Sequence, residues 1–310
     1  MAILITGGAG FVGSNLATAL VNGGQEVCIL DNLTNGSLDN FSQIREKIQF
    51  FEGSITEPEK VNAATEGCNF VFHEAAEISV ANSIEHPEKT HEVNVLGTQN
   101  VLEACRKKDV ERIVIASSAA VYGDEPSLPK REDSPLAPRS PYAESKIQNE
   151  QDAKRYFEEY GLKTTCLRYF NVYGPNQPPN SPYSGVVSRF LSCGLSGKSP
   201  TIFGDGKQTR DFVFVGDVVD ANLLALESNK APGEIFNIAT GKETSILGLW
   251  ESIREISGCN AEPEFKPKNE GDIFRSVASV EKAKRMLGYE SKYSLKEGLE
   301  KTIKWQRDSR

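Results

Sequence analysis

Thr6-Gly7-Gly8-Ala9-Gly10-Phe11-Val12-Gly13 is the stretch that decides how this chain folds. The apolar run before it, Ala2-Ile3-Leu4-Ile5, has the length and composition of a buried parallel strand. After it, Phe11–Val21 repeats apolar residues at helical spacing until Gly23-Gly24 stops the pattern. Strand, tight glycine turn and helix together predict a diphosphate seated on a helix N-terminus. Gly7, Gly10 and Gly13 carry no side chain, so backbone N–H groups can reach phosphate oxygens. A second strand, Glu26–Leu30, ends at Asp31, about 20 residues downstream, where a carboxylate meets the hydroxyls of an adenosine ribose. That acid disfavours a ribose 2′-phosphate. The expected cofactor is NAD, not NADP.

Working outward, strand-like and helical stretches alternate through the first half. Gln49–Phe51 precedes a helix from Pro58, and Phe70–Phe72 precedes a helical stretch over about Pro87–Lys107. Arg112–Ser117 precedes a helix from Tyr142 to about Tyr160, and Lys163–Arg168 closes the series. This alternation predicts an α/β protein with a Rossmann-type parallel sheet covered by helices on both faces. Ligands then bind beyond the carboxyl ends of the strands. The texture changes at the proline-rich loop 175–182. Beyond it come helices near Val186–Leu195, Ser245–Ser257 and Ser279–Leu287, and a last one capped by Ser294-x-x-Glu297. We therefore expect a NAD-binding domain over 1–170 and a smaller C-terminal substrate lobe over 171–310. The two interleave, because a segment near 212–240, with the short strand Ile235–Ile238, returns to the main sheet.

Composition narrows the function. With 310 residues, 38% hydrophobic and 25% charged, the chain reads as globular, and its net charge of −8 argues against nucleic acid as a partner. Six widely spaced cysteines form no CxxC pair; four lie in or beside apolar runs and read as buried thiols, with no metal site and no disulfide frame. No basic segment followed by a long apolar stretch opens the chain, and no membrane partner is expected; the expected location is cytoplasmic.

Chemistry enters at Ser117-Ser118, which ends the fifth strand, and at Tyr142-Ala143-Glu144-Ser145-Lys146 on a later helix. Residues four apart share a helix face, so the Tyr142 phenol and Lys146 ammonium can face one site. A phenol with a pKa near 10 is a poor base at neutral pH. A nearby ammonium and the positive nicotinamide ring of NAD⁺ would each favour the phenolate. By that reasoning Tyr142 should be lowered.

The Thr6–Gly13 turn, Ser-Ser-Ala-Ala-Val-Tyr-Gly (117–123), Tyr-x-x-x-Lys (142–146) and Arg-Tyr-Phe-Asn-Val-Tyr-Gly (168–174) together resemble the extended short-chain dehydrogenases/reductases. Within these the likeness is to the nucleotide-sugar 4-epimerase branch, acting on UDP-glucose and UDP-N-acetylglucosamine, and it runs along nearly the whole chain. The resemblance implies Tyr142 as the base for the sugar 4-hydroxyl, Ser118 as its hydrogen-bonding partner, and Lys146 as the group that holds the nicotinamide ribose and tunes Tyr142. It implies a cofactor site of Gly7, Gly10, Phe11, Val12, Gly13, Asp31, Asn32, Thr34, Asn35, Gly36, Ser54, Ile55, Ala75, Ala76, Asn94, Ser117, Tyr142, Lys146 and Tyr169. For the UDP-sugar it implies Ser79, Ser118, Tyr142, Asn171, Val186, Ile202, Phe203, Arg210, Asp272 and Ser276. A guanidinium at Arg210 matches phosphate oxygens. A homodimer is implied as well, through helices near Pro87–Lys107 and Tyr142–Tyr160 that carry Val93, Val101, Leu102 and Ile147.

Two positions depart from the family pattern. Ser54 stands where an aspartate usually meets adenine, and Asn269 stands where an arginine usually meets the diphosphate. The residues after Ser118 narrow the reaction. Related 4,6-dehydratases carry an Asp-Glu pair there, and this chain has Ala119-Ala120, which cannot move protons. The expected reaction is reversible 4-epimerisation through a transient 4-keto sugar. In the epimerases this chain resembles, the residue four places after the Asp of a Gly-Asp segment borders the sugar, so the resemblance implies that the small Ser276 leaves room for a 2-acetamido group. A UDP-glucuronate 4-epimerase, another nucleotide-sugar oxidoreductase, and a non-catalytic NAD-binding regulator stay open as alternatives.

Overall fold

The computed structural model describes residues 2–178, 185–268 and 273–308. Seven parallel strands form the main sheet: β1 Ala2–Thr6, β2 Glu26–Asp31, β3 Ile48–Glu52, β4 Cys68–His73, β5 Arg112–Ser118, β6 Lys163–Tyr169 and β7 Ile235–Ile238. Their spatial order is β3-β2-β1-β4-β5-β6-β7. The order reverses between β1 and β4. At such a point the connections leave toward opposite faces and open a crevice at the strands' carboxyl ends. Every expected strand is present, and β7 returns to the sheet beside β6.

Side-chain alternation along the strands builds two cores. Ile3, Ile5, Val27 and Ile29 face one side, with buried residues of the helices Phe11–Asn22, Val215–Glu227 and Glu281–Leu287. Leu4, Leu30, Val71, Ile113 and Ile115 face the other side, with the helices Pro58–Thr65, Gly97–Lys107 and Pro141–Tyr160. A third core gathers the helices Val186–Ser196, Ile246–Ser257 and Leu295–Asp308, where buried Trp250 meets Phe190 edge-on at 5.8 Å between ring centroids. The Ser294–Glu297 box is formed: each residue's side chain accepts from the other's backbone N–H.

The structure adds elements and changes others. The helix Val215–Glu227 was not among those expected. Gly216-Asp217 has turn composition, yet Asp217 is buried in the helix's first turn and accepts from the Lys292 N–H and the Ser291 hydroxyl. The stretch over Pro87–Lys107 is helical throughout but widens into a π-turn at Glu92–Leu96, a distortion common where a helix borders a site. All six cysteines are free, and five are buried. Val101 and Leu102, expected on a dimer face, are fully buried against the sheet; Val93 and Ile147 are half-buried. None of the described helices is long and apolar enough to cross a membrane.

Candidate active site

The crevice at the sheet's switch point is a cleft of about 390 Å³. Its floor is the glycine turn. Gly7 has φ +69°, and a Cβ there would lie 2.6 Å from the Ala75 nitrogen, so only glycine fits. A Cβ on Gly13 would lie 2.3 Å from the Gly7 carbonyl oxygen. The helix Phe11–Asn22 begins at Gly10 without a side-chain cap, which leaves its first-turn N–H groups facing the cleft. Asp31 lines the wall; its carboxylate accepts from the Ala9 N–H at 2.9 Å and the Leu33 N–H at 2.8 Å, and burial pushes it above the usual carboxylate range. Glycine cradle, uncapped helix end and ribose-side carboxylate fit a dinucleotide.

All the expected cofactor residues except Asn94 line this one cleft. Asn94 is fully buried behind it. Its carboxamide grips the Glu77 main chain from both ends, at 2.7 and 3.0 Å, and donates to the Ser145 hydroxyl. Asn94 thus shapes the wall and ties it to the long helix. Ser117 lines the cleft while its hydroxyl turns away, donating to Glu150 at 2.6 Å. The Ser54 hydroxyl pairs with that of Thr56. Glu74, Glu77, Ile78 and Lys89 also line the cleft and were missed by the sequence reading. Their only sequence signal is closeness to Ala75-Ala76 or to the helix that carries Asn94.

Tyr142 and Lys146 stand one turn apart on the long helix, with the Lys146 nitrogen 5.9 Å from the Tyr142 ring centroid. The ammonium is buried and donates to the Ala116 carbonyl at 2.9 Å, which fixes it beneath the end of β5. Burial pushes Lys146 down to about 8. Burial pushes Tyr142 up, and the Ser118 hydroxyl opposes that. Both groups have lost hydration, so in the chain alone each is pushed toward its neutral form; the lowering expected of Tyr142 is that of the site with NAD⁺ bound. The Ser118 hydroxyl oxygen also accepts from the Ala120 N–H at 3.1 Å, capping the short turn Ala119–Tyr122.

Of the residues expected at the sugar nucleotide, only Tyr142 lines the cleft. Ser79 is buried and caps the helix Val80–Glu85. Asn171 is exposed and donates to the Asp211 carbonyl. Arg210 donates to the carbonyls of Thr209 and Ile273, and Ser276 donates its N–H to the Thr209 carbonyl, so these two adjoin. Val186 opens its helix half-buried, and Phe203 is half-buried too. Ile202 is 1% exposed, within the third core. Asp272 and Asn269 lie outside the described residues.

A model of the NAD dependent epimerase/dehydratase family matches residues 3–239. A Methanocaldococcus jannaschii protein named provisionally as a UDP-glucose 4-epimerase is 43% identical over 311 residues, covering 99% of both chains. Among solved structures, the UDP-glucose 4-epimerase of Thermotoga maritima with UDP-glucose is 39% identical, covers 100% of this chain and 99% of its own, and superposes with a TM-score of 0.95. The UDP-N-acetylglucosamine 4-epimerase of Methanobrevibacter ruminantium M1, in complex with UDP-N-acetylmuramic acid, reaches the same TM-score at 33% identity, with 100% and 99% coverage.

His73, at the end of β4, holds the site from below. Thr98 donates its one proton to the Asn94 carbonyl at 2.6 Å, so it accepts from His73 Nε2; His73 Nδ1 then accepts from the Thr6 hydroxyl. This neutral ring is pushed down to about 3 by burial and the Lys146 charge. The unfolded chain takes up a proton near pH 6.5 that the folded chain refuses, so the contribution is full above 6.5 and lost as pH falls toward 3. Going from pH 7 to 5 should cost about 2 kcal/mol of folding stability through this group. Urea unfolding of the parent and His73→Gln isolates it, because the neighbouring Glu74 runs with the opposite sign in both proteins. Equal pH dependence in the two would contradict the assignment.

Proposed function

The chain belongs to the NAD dependent epimerase/dehydratase family, and on that premise we propose that it interconverts UDP-hexoses that differ at carbon 4, UDP-glucose with UDP-galactose and their 2-acetamido analogues. One observation carries the reading. The cofactor cleft reaches Tyr142 and Lys146, the Ser118 hydroxyl hydrogen-bonds the Tyr142 phenol, and the two residues after Ser118, Ala119 and Ala120, have no ionisable group.

Tyr142 takes the proton of the sugar 4-hydroxyl, and the Ser118 hydroxyl hydrogen-bonds the same oxygen as its charge changes. Bound NAD⁺ supplies the hydride acceptor and a positive charge beside the phenol. Lys146 adds its ammonium, held in place by the Ala116 carbonyl. Charges of that sign are what a buried phenol needs, since desolvation alone pushes Tyr142 the wrong way. Hydrogen loss at carbon 4 leaves a ketone. A dehydratase would next move protons at carbons 5 and 6, and two alanines cannot. The ketone is therefore reduced again, and one that has turned over in the site returns as the 4-epimer.

The second lobe closes on the nucleotide. Arg210 is the diphosphate clamp of this reading, at the strand Thr209–Arg210, which pairs with Thr244–Ser245. Asp211 beside it is fully buried and accepts from the N–H groups of Thr240 and Gly241, fixing where Arg210 leaves the sheet. The dimer reading keeps the two helices but moves to residues left exposed, Leu96 and Tyr160.

Tyr142→Phe removes only the proton acceptor and should lower epimerisation about 10²–10⁴-fold with bound NAD retained; turnover within a factor of two of the parent would reject Tyr142 as the base. Ser276 borders the sugar at carbon 2 in this reading. Ser276→Tyr should then suppress turnover of UDP-N-acetylglucosamine about 5- to 150-fold relative to UDP-glucose, the selectivity of a ~1–3 kcal/mol overpacking. Equal loss on both sugars would place Ser276 elsewhere. Light scattering should give twice the mass of one chain; a particle of single-chain mass at micromolar concentration would reject the dimer.

A further inference from the structure

Glu74 follows β4 directly and lines the cofactor cleft. Its Oε1 accepts from the Tyr169 hydroxyl at 2.8 Å. Tyr169 in turn accepts from the Asn222 carboxamide at 2.8 Å, and that carboxamide also donates to the Val218 carbonyl at 2.9 Å. The Asn222 carboxamide oxygen lies farther from the Tyr169 hydroxyl, at 3.2 Å, so the shorter contact to Glu74 takes the Tyr169 proton. None of the hydrogen bonds among the described residues engages the second Glu74 oxygen, so this carboxyl is gripped on one side only.

The groups around the Lys146 ammonium show what Glu74 does there. From its own helix come Tyr142 and Glu150; from β5, the Ala116 carbonyl and Ser117; from β4, His73, with Glu74 directly after it; from β6, Cys166 and Tyr169. In the chain alone, burial pushes Cys166, Tyr169 and Tyr142 up and His73 down, so each of the four is held toward its neutral form. Glu150 is already matched: Arg168 holds both of its oxygens, at 2.8 and 2.7 Å, and Ser117 donates to it as well. The Ala116 carbonyl carries no formal charge. The register of β4 and β5 pairs His73 with Ile115, so the residues that follow, Glu74 and Ala116, sit side by side at the strand ends, and Ala116 is the residue whose carbonyl holds the ammonium. Glu74 and Lys146 line the same cleft there, and among the described residues named above Glu74 is the carboxyl group without a cationic partner of its own.

We propose that Glu74 is the counter-ion of Lys146, a positioning residue whose carboxylate, held by Tyr169, keeps the lysine charged next to Tyr142. The two do not touch in an ion pair and act on each other across the dry wall of the cleft, where charges are weakly screened. Each favours the charged form of the other, against burial that pushes Glu74 up to about 7 and Lys146 down to about 8. A second positive charge, the oxidised nicotinamide ring, makes the need for a balancing anion greater. This inference rests on the reading of Lys146 as the charge that assists Tyr142.

The test follows the lysine itself. In the NAD-loaded protein labelled at lysine Cε with ¹³C, the Lys146 resonance is the one missing from Lys146→Met. Its pH titration in Glu74→Gln, which still accepts from Tyr169, should lie about one pH unit lower than in the parent, and Glu74→Asp should restore most of the difference. The alkaline limb of kcat should move in the same direction. Reciprocally, in Lys146→Met the Glu74 carboxyl should titrate at higher pH than in the parent. That arm does not depend on Glu74→Gln folding. An unchanged Lys146 titration in Glu74→Gln, or an unchanged Glu74 titration in Lys146→Met, would overturn the proposal. No sugar is present in either titration, so a failed epimerisation assay would count against the proposed function and leave this result standing.

Discussion

An uncapped helix N-terminus, placed where the strand order of the sheet reverses, is the constraint on which the rest of this protein depends. Four N–H groups at a helix start need partners, and most helices supply one from a Ser, Thr, Asp or Asn side chain. Here Gly10 supplies none. The glycines that keep the turn open also leave no room for side chains, since a Cβ on Gly7 or Gly13 would collide with backbone. The chain thus gives up local stabilisation at this turn and leaves it for an anion. Asp31 then ties the turn to β2 through the Ala9 N–H, which joins the ribose side of the cleft to the phosphate side.

Around that opening the protein places charge in dry surroundings and balances it in pairs. Glu150 with Arg168, Lys130 with Glu125, and Asp211 with a ring of N–H donors are each buried and each satisfied. Such pairs add little net stability, and losing one partner is costly, so they act to hold one geometry. The Glu150–Arg168 pair joins the long helix to β6, and Ser117 links it to β5. The helix that carries Tyr142 and Lys146 is therefore held at a fixed height above the strand ends. Tyr142 and Lys146, which line the cleft, are thus positioned by contacts within the fold itself.

The cofactor half of the site was legible because its signals are local. Turn, strand and acid lie within Ala2–Asp31, and each uses residues whose role follows from their own backbone or size. What escaped depends on partners far apart in the chain. Glu74 meets Tyr169 across 95 positions and Asp211 meets Ala278 across 67, and neither pairing leaves a periodic mark. The apolar pattern of the helix Gly97–Lys107 revealed a buried face without saying what buries it, so Val101 and Leu102 were assigned to a second copy when the sheet covers them. The upward push on the Tyr142 phenol in the chain alone escaped for a related reason. Its charged neighbour is visible four residues away, whereas desolvation exists only once the chain has folded.

The central claim is that hydrogen leaves carbon 4 and returns to it within one closed site, with no proton chemistry at the neighbouring carbons. Turnover of UDP-glucose in deuterium oxide, followed by proton NMR of the sugar, tests this most directly. The account predicts UDP-galactose with protium retained at carbons 4 and 5 and carbon 6 still hydroxylated. Deuterium at carbon 5, or a 4-keto-6-deoxy product, would contradict it.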